Sequence, residues 1–170
     1  VRLGQGARAA IISLDDKAIL AACTEASTLG VVDAVNFNAP GQVVIAGAND
    51  AVERAMDICK AAGAKRALPL PVSAPFHTSL MKPAADNLAE MVNTITFRAP
   101  EVPVMHNVHA KNEHDPQAIK ALMLEQIYSP VKWVDCVEQL KDSGVSALVE
   151  CGPGKVLSGL AKRIDRELIV

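Results

Sequence analysis

Aromatic residues are scarce in this chain: three Phe, one Tyr and one Trp make up 3% of 170 residues. Stacked rings therefore cannot carry the core. Hydrophobic residues still make up 50% of the chain, mostly Ala, Val, Leu and Ile, which suits a packed α/β protein and excludes disorder. Charge of one sign is also lacking. With a formal net charge of −2, no overall field draws the chain to nucleic acid. No apolar run is long enough to span a bilayer, and no signal-peptide pattern opens the chain. The four cysteines (Cys23, Cys59, Cys136 and Cys151) form no CxxC pair and no disulfide-dense framework. They read as reduced thiols, and the expected compartment is the cytoplasm. There is no internal repeat, no low-complexity linker and no GxSxG nucleophile elbow. An initiating methionine is missing as well. The chain opens Val1-Arg2-Leu3-Gly4 and enters a strand pattern almost at once, which reads as a piece of something longer.

What is present falls into two halves. Residues 9–14 read as a buried strand. Asp15 and Asp16 offer a cap and a favourable charge at a helix start, and Ile19, Leu20, Cys23 and Ala26 form its apolar face. Residues 31–37 and 42–46 read as a hairpin around Asn38-Ala39-Pro40-Gly41. A second helix follows, capped by Asn49 or Asp50 and ended by Gly63, and then a strand over 65–70. The order β-α-β-β-α-β is ferredoxin-like. Beyond it, helices are expected after Pro83, with Leu88, Met91, Val92 and Ile95 inward, over 116–128, over 133–142 and from about Lys155. Short strands are expected at 102–105 and 147–149. That alternation predicts a parallel sheet covered by helices, with too few strands to be complete; the others are expected upstream of Val1. The organisation read is a lead-in segment 1–8, a ferredoxin-like small subdomain 9–70, and a second α/β part 71–170.

His77 lies at the join, in Val72-Ser73-Ala74-Pro75-Phe76-His77-Thr78-Ser79, a strand–loop–helix junction where a scaffold can hold a side chain at a sheet end. Imidazole takes up and releases a proton near neutral pH. Ser73 and Ser79 are its neighbours, but neither sits on an elbow. Asn36 and Asn38 bracket Phe37 and point to one side of a strand end, where they either line a cleft or face water. His106, His109 and His114, with Glu113 and Asp115, lack the spacing of a zinc site and read as a solvated loop; no metal is expected. Glu150-Cys151-Gly152-Pro153-Gly154-Lys155 is not a phosphate loop, because its spacing is wrong and Pro153 removes an amide donor. It reads as a tight turn into a helix.

Four blocks carry a resemblance. They are Val35-Asn36-Phe37-Asn38-Ala39-Pro40-Gly41-Gln42-Val43-Val44-Ile45-Ala46-Gly47; Ala61-Ala62-Gly63-Ala64-Lys65-Arg66 with Leu68-Pro69-Leu70-Pro71-Val72-Ser73; Gln126-Ile127-Tyr128-Ser129-Pro130-Val131-Lys132-Trp133; and Glu150-Cys151-Gly152-Pro153-Gly154-Lys155-Val156-Leu157. Together they closely resemble the malonyl-CoA:acyl-carrier-protein transacylases of bacterial fatty-acid synthesis. The resemblance implies an α/β fold in which a ferredoxin-like small subdomain is followed by the C-terminal part of an α/β-hydrolase-like acyltransferase domain. It implies an acyltransferase that moves malonyl from malonyl-CoA to the pantetheine thiol of acyl carrier protein by a Ser–His ping-pong route. The family's nucleophilic Ser, its carboxylate-binding Arg and its oxyanion-hole Gln lie upstream of these blocks, so the chain alone is expected to be inactive. Gln5 echoes the last of these only superficially.

On matching positions His77 takes the part of the catalytic His, and Gln126 that of the residue whose backbone carbonyl holds the imidazole. Asn36, Asn38 and Phe76 would line the acyl and pantetheine cleft. The Phe76-His77 pair implies malonyl rather than methylmalonyl transfer. Lys65 with Arg66 and Lys162 with Arg163 are the candidate carrier-docking pairs. The resemblance implies no permanent cofactor, with malonyl-CoA as substrate and 4'-phosphopantetheine brought by the partner. It also implies a monomer with no nucleic-acid or membrane partner. The competing class is a non-catalytic ferredoxin-like binding or regulatory module. A nucleophile elbow in the upstream reading frame separates the two.

Overall fold

The computed structural model describes residues 6–72 and 74–170; Gln5 and Ser73, both noted above, lie outside them. Strand β1 (Gly6–Ile12) begins three residues earlier than its hydrophobic run suggests. Its antiparallel ladder with β3 (Gln42–Ala48) runs from Gly6 opposite Ala48 to Ile12 opposite Gln42, so the pairing extends it through small residues. Between them come α1 (Asp16–Ala26) and β2 (Val32–Ala39). Next are α2 (Asn49–Ala61) and β4 (Arg66–Pro69). The sheet order is β2-β3-β1-β4 with every neighbour antiparallel, which is the ferredoxin-like arrangement the element order predicts.

Local chemistry explains most boundaries. The Asp15 carboxylate caps α1 by accepting from the Ala18 amide at 3.0 Å. The buried stripe on α1 is Ile19, Ala22, Cys23 and Ala26, the i, i+3, i+4, i+7 set. Leu20, expected inward, falls off that stripe and is exposed. Neither Asn49 nor Asp50 caps α2; Ala48 holds the cap position without a side-chain bond, because β3 runs directly into the helix. Gly41 turns the hairpin at φ 68°. Gly47 is required by close approach, since a Cβ there would lie 2.0 Å from the Val31 carbonyl oxygen. One sheet face buries Ala9, Ile11, Val43 and Ile45 against α1 and α2. The other carries a smaller cluster of Val35, Val44 and Ala46 with Leu70 against it.

The remainder contains α3 (Lys82–Val92), a hairpin of β5 (Met105–His106) and β6 (Lys111–Asn112), α4 (Pro116–Glu125), α5 (Trp133–Asp142) and α6 (Val156–Ile164). The expected parallel sheet is not formed among the described residues. Residues 102–104 pair with no strand, and of 147–149 only Ala147 makes an isolated parallel bridge, to Ile169. A strand needs a neighbour along its length to take its amides and carbonyls; 102–104 has none among the described residues and 147–149 has only Ile169, whose carbonyl accepts the Leu148 amide, and Val102 is 67% exposed and Val149 87%. On α3, Ala85 and Val92 are buried while Leu88, Met91 and, beyond the helix, Ile95 remain exposed. Among the described residues no helix is long and apolar enough to cross a membrane.

Candidate active site

The site is built where residues 126–131 touch both halves. Helix α4 ends at Glu125, and its Leu122, Leu124 and Glu125 carbonyls accept from the Gln126, Ile127 and Tyr128 amides. The next two carbonyls, of Gln126 and Ile127, face the loop before α3. The His77 amide donates to the Ile127 carbonyl at 3.1 Å, and the His77 imidazole Nδ1 lies 2.8 Å from the Gln126 carbonyl oxygen. A carbonyl oxygen only accepts, so Nδ1 carries a proton, and Nε2 is the nitrogen that accepts in the neutral form of the ring. Five residues on, Val131 pairs with β2. The Phe37 amide donates to the Val131 carbonyl at 3.0 Å, and the Val131 amide to the Val35 carbonyl at 2.9 Å. One segment therefore sets the imidazole and the Asn36 strand in a common frame.

The His77 turn is held tightly. His77 has φ 66°, a left-handed conformation uncommon for a residue with a side chain. The Thr78 hydroxyl, the buried polar group of this region at 1% exposure, donates to the Pro75 carbonyl at 2.8 Å. The Phe76 amide donates to the Ala74 carbonyl at 2.9 Å. Backbone strain persists only where surrounding contacts over-determine it, and such places cluster at functional sites.

Asn36 and Asn38 are both partly buried and flank Phe37, but register shifts on either side of Asn36–Phe37 break the plain alternation the sequence suggests. Asn36 takes a partner the sequence did not announce: Arg8 Nη2 donates to its Oδ1 at 2.5 Å. The same guanidinium lies over the Phe76 ring, 5.9 Å from its centroid. Arg8 stands on β1 opposite Ala46, half-buried, and burial lowers its pKa from the usual guanidinium value. Its one sequence-level signal is a charge inside a run of Ala and Ile, masked by reading the strand from residue 9.

Other expected groups fall elsewhere. Lys65 and Arg66 are exposed at the start of edge strand β4 and form no ion pair among the described residues. The Lys162 ammonium donates to the Arg166 and Leu168 carbonyls, and Arg163 donates to the Gln42 side-chain oxygen, so both are engaged within the chain. His106 and His109 meet edge to face at 5.9 Å, while Glu113 accepts the His114 and Asp115 amides. Among the described residues no three His, Cys, Asp or Glu side chains converge as a metal would need. At the glycine-rich turn the Glu150 carboxylate itself occupies the start of α6, accepting the Leu157 and Ser158 amides at 3.1 and 2.9 Å and the Ser158 hydroxyl at 2.8 Å. An anion from the chain already fills the place a phosphate would take.

Known proteins share this fold. The family model for the acyl transferase domain matches residues 3–164. A malonyl CoA-acyl carrier protein transacylase of Escherichia coli strain K12 is 60% identical over 161 residues, covering 95% of this chain and 52% of the relative. That of Bacillus subtilis strain 168 is 43% identical, covering 99% of this chain and 53% of the relative. The chain thus spans about half the length of these relatives. The crystal structure of an acyl carrier protein S-malonyltransferase from Vibrio cholerae superposes with a TM-score of 0.98 at 57% identity, covering 99% of this chain and 55% of that one. A malonyl-transacylase solved in complex with a type II PKS acyl-carrier protein superposes at 0.96 with 53% identity, over 99% of this chain and 55% of that one. A match over residues 3–164, with the same fold at this identity, is decisive: the chain belongs to the acyl transferase domain family.

Proposed function

We propose that this chain supplies the base of a malonyl-CoA:acyl-carrier-protein transacylase. The observation that carries the reading is the 2.8 Å contact between His77 Nδ1 and the Gln126 carbonyl, which makes Nε2 the acceptor of the neutral ring. A neutral carbonyl does here what a carboxylate does in other triads: it fixes tautomer and ring orientation. Nε2 takes the proton of a serine hydroxyl that this chain does not carry. The serine oxygen attacks the thioester carbonyl of malonyl-CoA, the carbon–sulfur bond breaks, and the CoA sulfur takes the proton from Nε2. In the second half-reaction the pantetheine thiol gives its proton to Nε2 and attacks the serine ester. The serine oxygen leaves and recovers the proton. Nδ1–H donates to Gln126 throughout, so the ring need not turn. Asn36, Asn38 and Phe76 line the cleft in this reading, and Lys65 with Arg66 is the better placed of the two basic pairs to meet an acidic carrier.

The test has two parts. Intact mass after incubating this chain alone with malonyl-CoA is expected to show no serine adduct. In the full-length protein, His77→Ala is expected to slow both half-reactions by roughly 10²–10⁴ while leaving thermal unfolding nearly unchanged, because a partly exposed turn side chain carries little packing. Turnover near that of the unmutated protein rejects the role.

A further inference from the structure

We infer that Arg8 is a positioning residue: from β1 it clamps the Phe76 ring and the Asn36 amide, and so holds the His77 turn in its left-handed conformation. Three observations meet at this guanidinium. Its Nη2 donates to Asn36 Oδ1 at 2.5 Å. Its carbon lies 5.9 Å from the Phe76 ring centroid, within the range of attraction between a cation and an aromatic face. Its Nε is sealed from solvent with no acceptor among the described residues. No carboxylate pairs with this half-buried cation among the described residues. Desolvation is thus offset by an amide oxygen and a ring face, an arrangement hard to account for as generic surface charge.

The contacts close a circuit. Arg8 joins β1 to Asn36 on β2 and to Phe76; Phe76 precedes His77; His77 bonds Gln126 and Ile127; and Val131, on that same segment, returns to β2 beside Asn36. Among the described residues the other hydrogen bonds of the turn are local or come from residues 126–127. Among the described residues Arg8 is the side chain that links it to β1, an inner strand of the sheet, so removing the guanidinium frees one side of a strained turn.

This inference deepens the acyltransferase reading, but its main test does not need activity. Amide hydrogen exchange on this chain reports the His77 N–H, which is bonded to Ile127, and the Ile45 N–H in the sheet core. Arg8→Met keeps an apolar stem and removes the guanidinium. It is expected to lower His77 protection about three- to tenfold, the range of one cation–ring contact, with Ile45 unchanged. Arg8→Lys, which keeps a cation for the ring, is expected to recover at least half of that loss. Phe76→Leu is expected to match Arg8→Met, and the double variant to lose no more than either single one. If Arg8→Met does not fold, Arg8→Lys and Phe76→Leu decide by the same comparison. Unchanged His77 protection, an equal loss at Ile45, or losses that multiply in the double variant overturn the clamp. In the full-length protein Arg8→Met is then expected to lower kcat by a similar factor with KM unchanged; an equal rise in KM would also overturn it. Absence of acyl transfer in the unmutated full-length protein rejects the acyltransferase reading and leaves the exchange result to judge the clamp.

Discussion

Phe76 and the cysteines carry the sharpest residue-scale predictions. The Phe76 ring, 40% exposed, stands one residue before the imidazole, and in the proposed reading it would leave little room for an α-methyl branch on the acyl group. One methyl in a pocket is worth about 10–200-fold in discrimination. Phe76→Ser in the full-length protein is expected to raise methylmalonyl-CoA use relative to malonyl-CoA within that range, measured by direct competition. An unchanged ratio means that Phe76 is not the gate. The thiols divide by burial. Desolvation pushes Cys23 up to about 12 and Cys136 up to about 11, and raises Cys59 as well, so none offers appreciable thiolate near neutrality. Cys151 is exposed. A disulfide reagent at neutral pH is expected to titrate one thiol in the folded chain and four after denaturation. Rapid reaction of a second thiol before unfolding would show that one of the buried sites opens.

At the scale of elements, α6 owes its start to a residue outside it. Val156–Ile164 has no side-chain cap of its own, and Glu150 serves instead across the glycine-rich turn. The Ser158 amide, then its hydroxyl, then further α6 amides hold the Glu150 carboxyl below the usual glutamate value. A lowered native pKa means that the native state binds fewer protons, so the stabilisation is complete above the unfolded value near ~4.3 and is lost as pH falls below it towards the native value. Glu150→Gln is expected to unfold at lower denaturant at pH 7. It is also expected to lose less stability than the parent on acidification through that window. Parallel acid curves for the two proteins would remove the cap from the account. Helix α4 shows the converse: the two carbonyls just past its end, of Gln126 and Ile127, are what the His77 turn uses.

For the molecule as a whole, Val131 ties the second part to β2 by two backbone bonds, Arg163 reaches Gln42 as a side-chain tie, and residues 126–127 hold the His77 turn from the same segment. Lys65 and Arg66 stand apart from these joins, at an exposed sheet edge. A carrier drawn there should be drawn by long-range attraction, which acts on association and weakens with salt. Reversing both to Glu in the full-length protein is expected to raise KM for the carrier at low ionic strength and to leave acylation by malonyl-CoA intact. Equal damage to both half-reactions, or carrier kinetics unchanged at low salt, would place docking elsewhere.

The sequence by itself determined the elements whose causes are local. Asp15 before an i, i+3, i+4 stripe, the Pro40-Gly41 turn between two β-branched runs, and Gly63 after α2 specify a ferredoxin-like unit, because capping, periodicity and turn chemistry act over a few residues. His77 and the Gln126 block were legible through their resemblance to a known family. Tertiary structure alone decided the rest. Whether 102–104 and 147–149 become strands depends on neighbours distant in the chain, since ladder hydrogen bonds are made between segments. Which residues on α3 are buried depends on what packs against it. Arg8 became part of the site only because β1 sets it on the sheet face opposite α1 and α2, where Asn36 and, 68 positions away in the numbering, Phe76 come within reach of one guanidinium. No local pattern encodes that meeting; the register of β1 against β3 does.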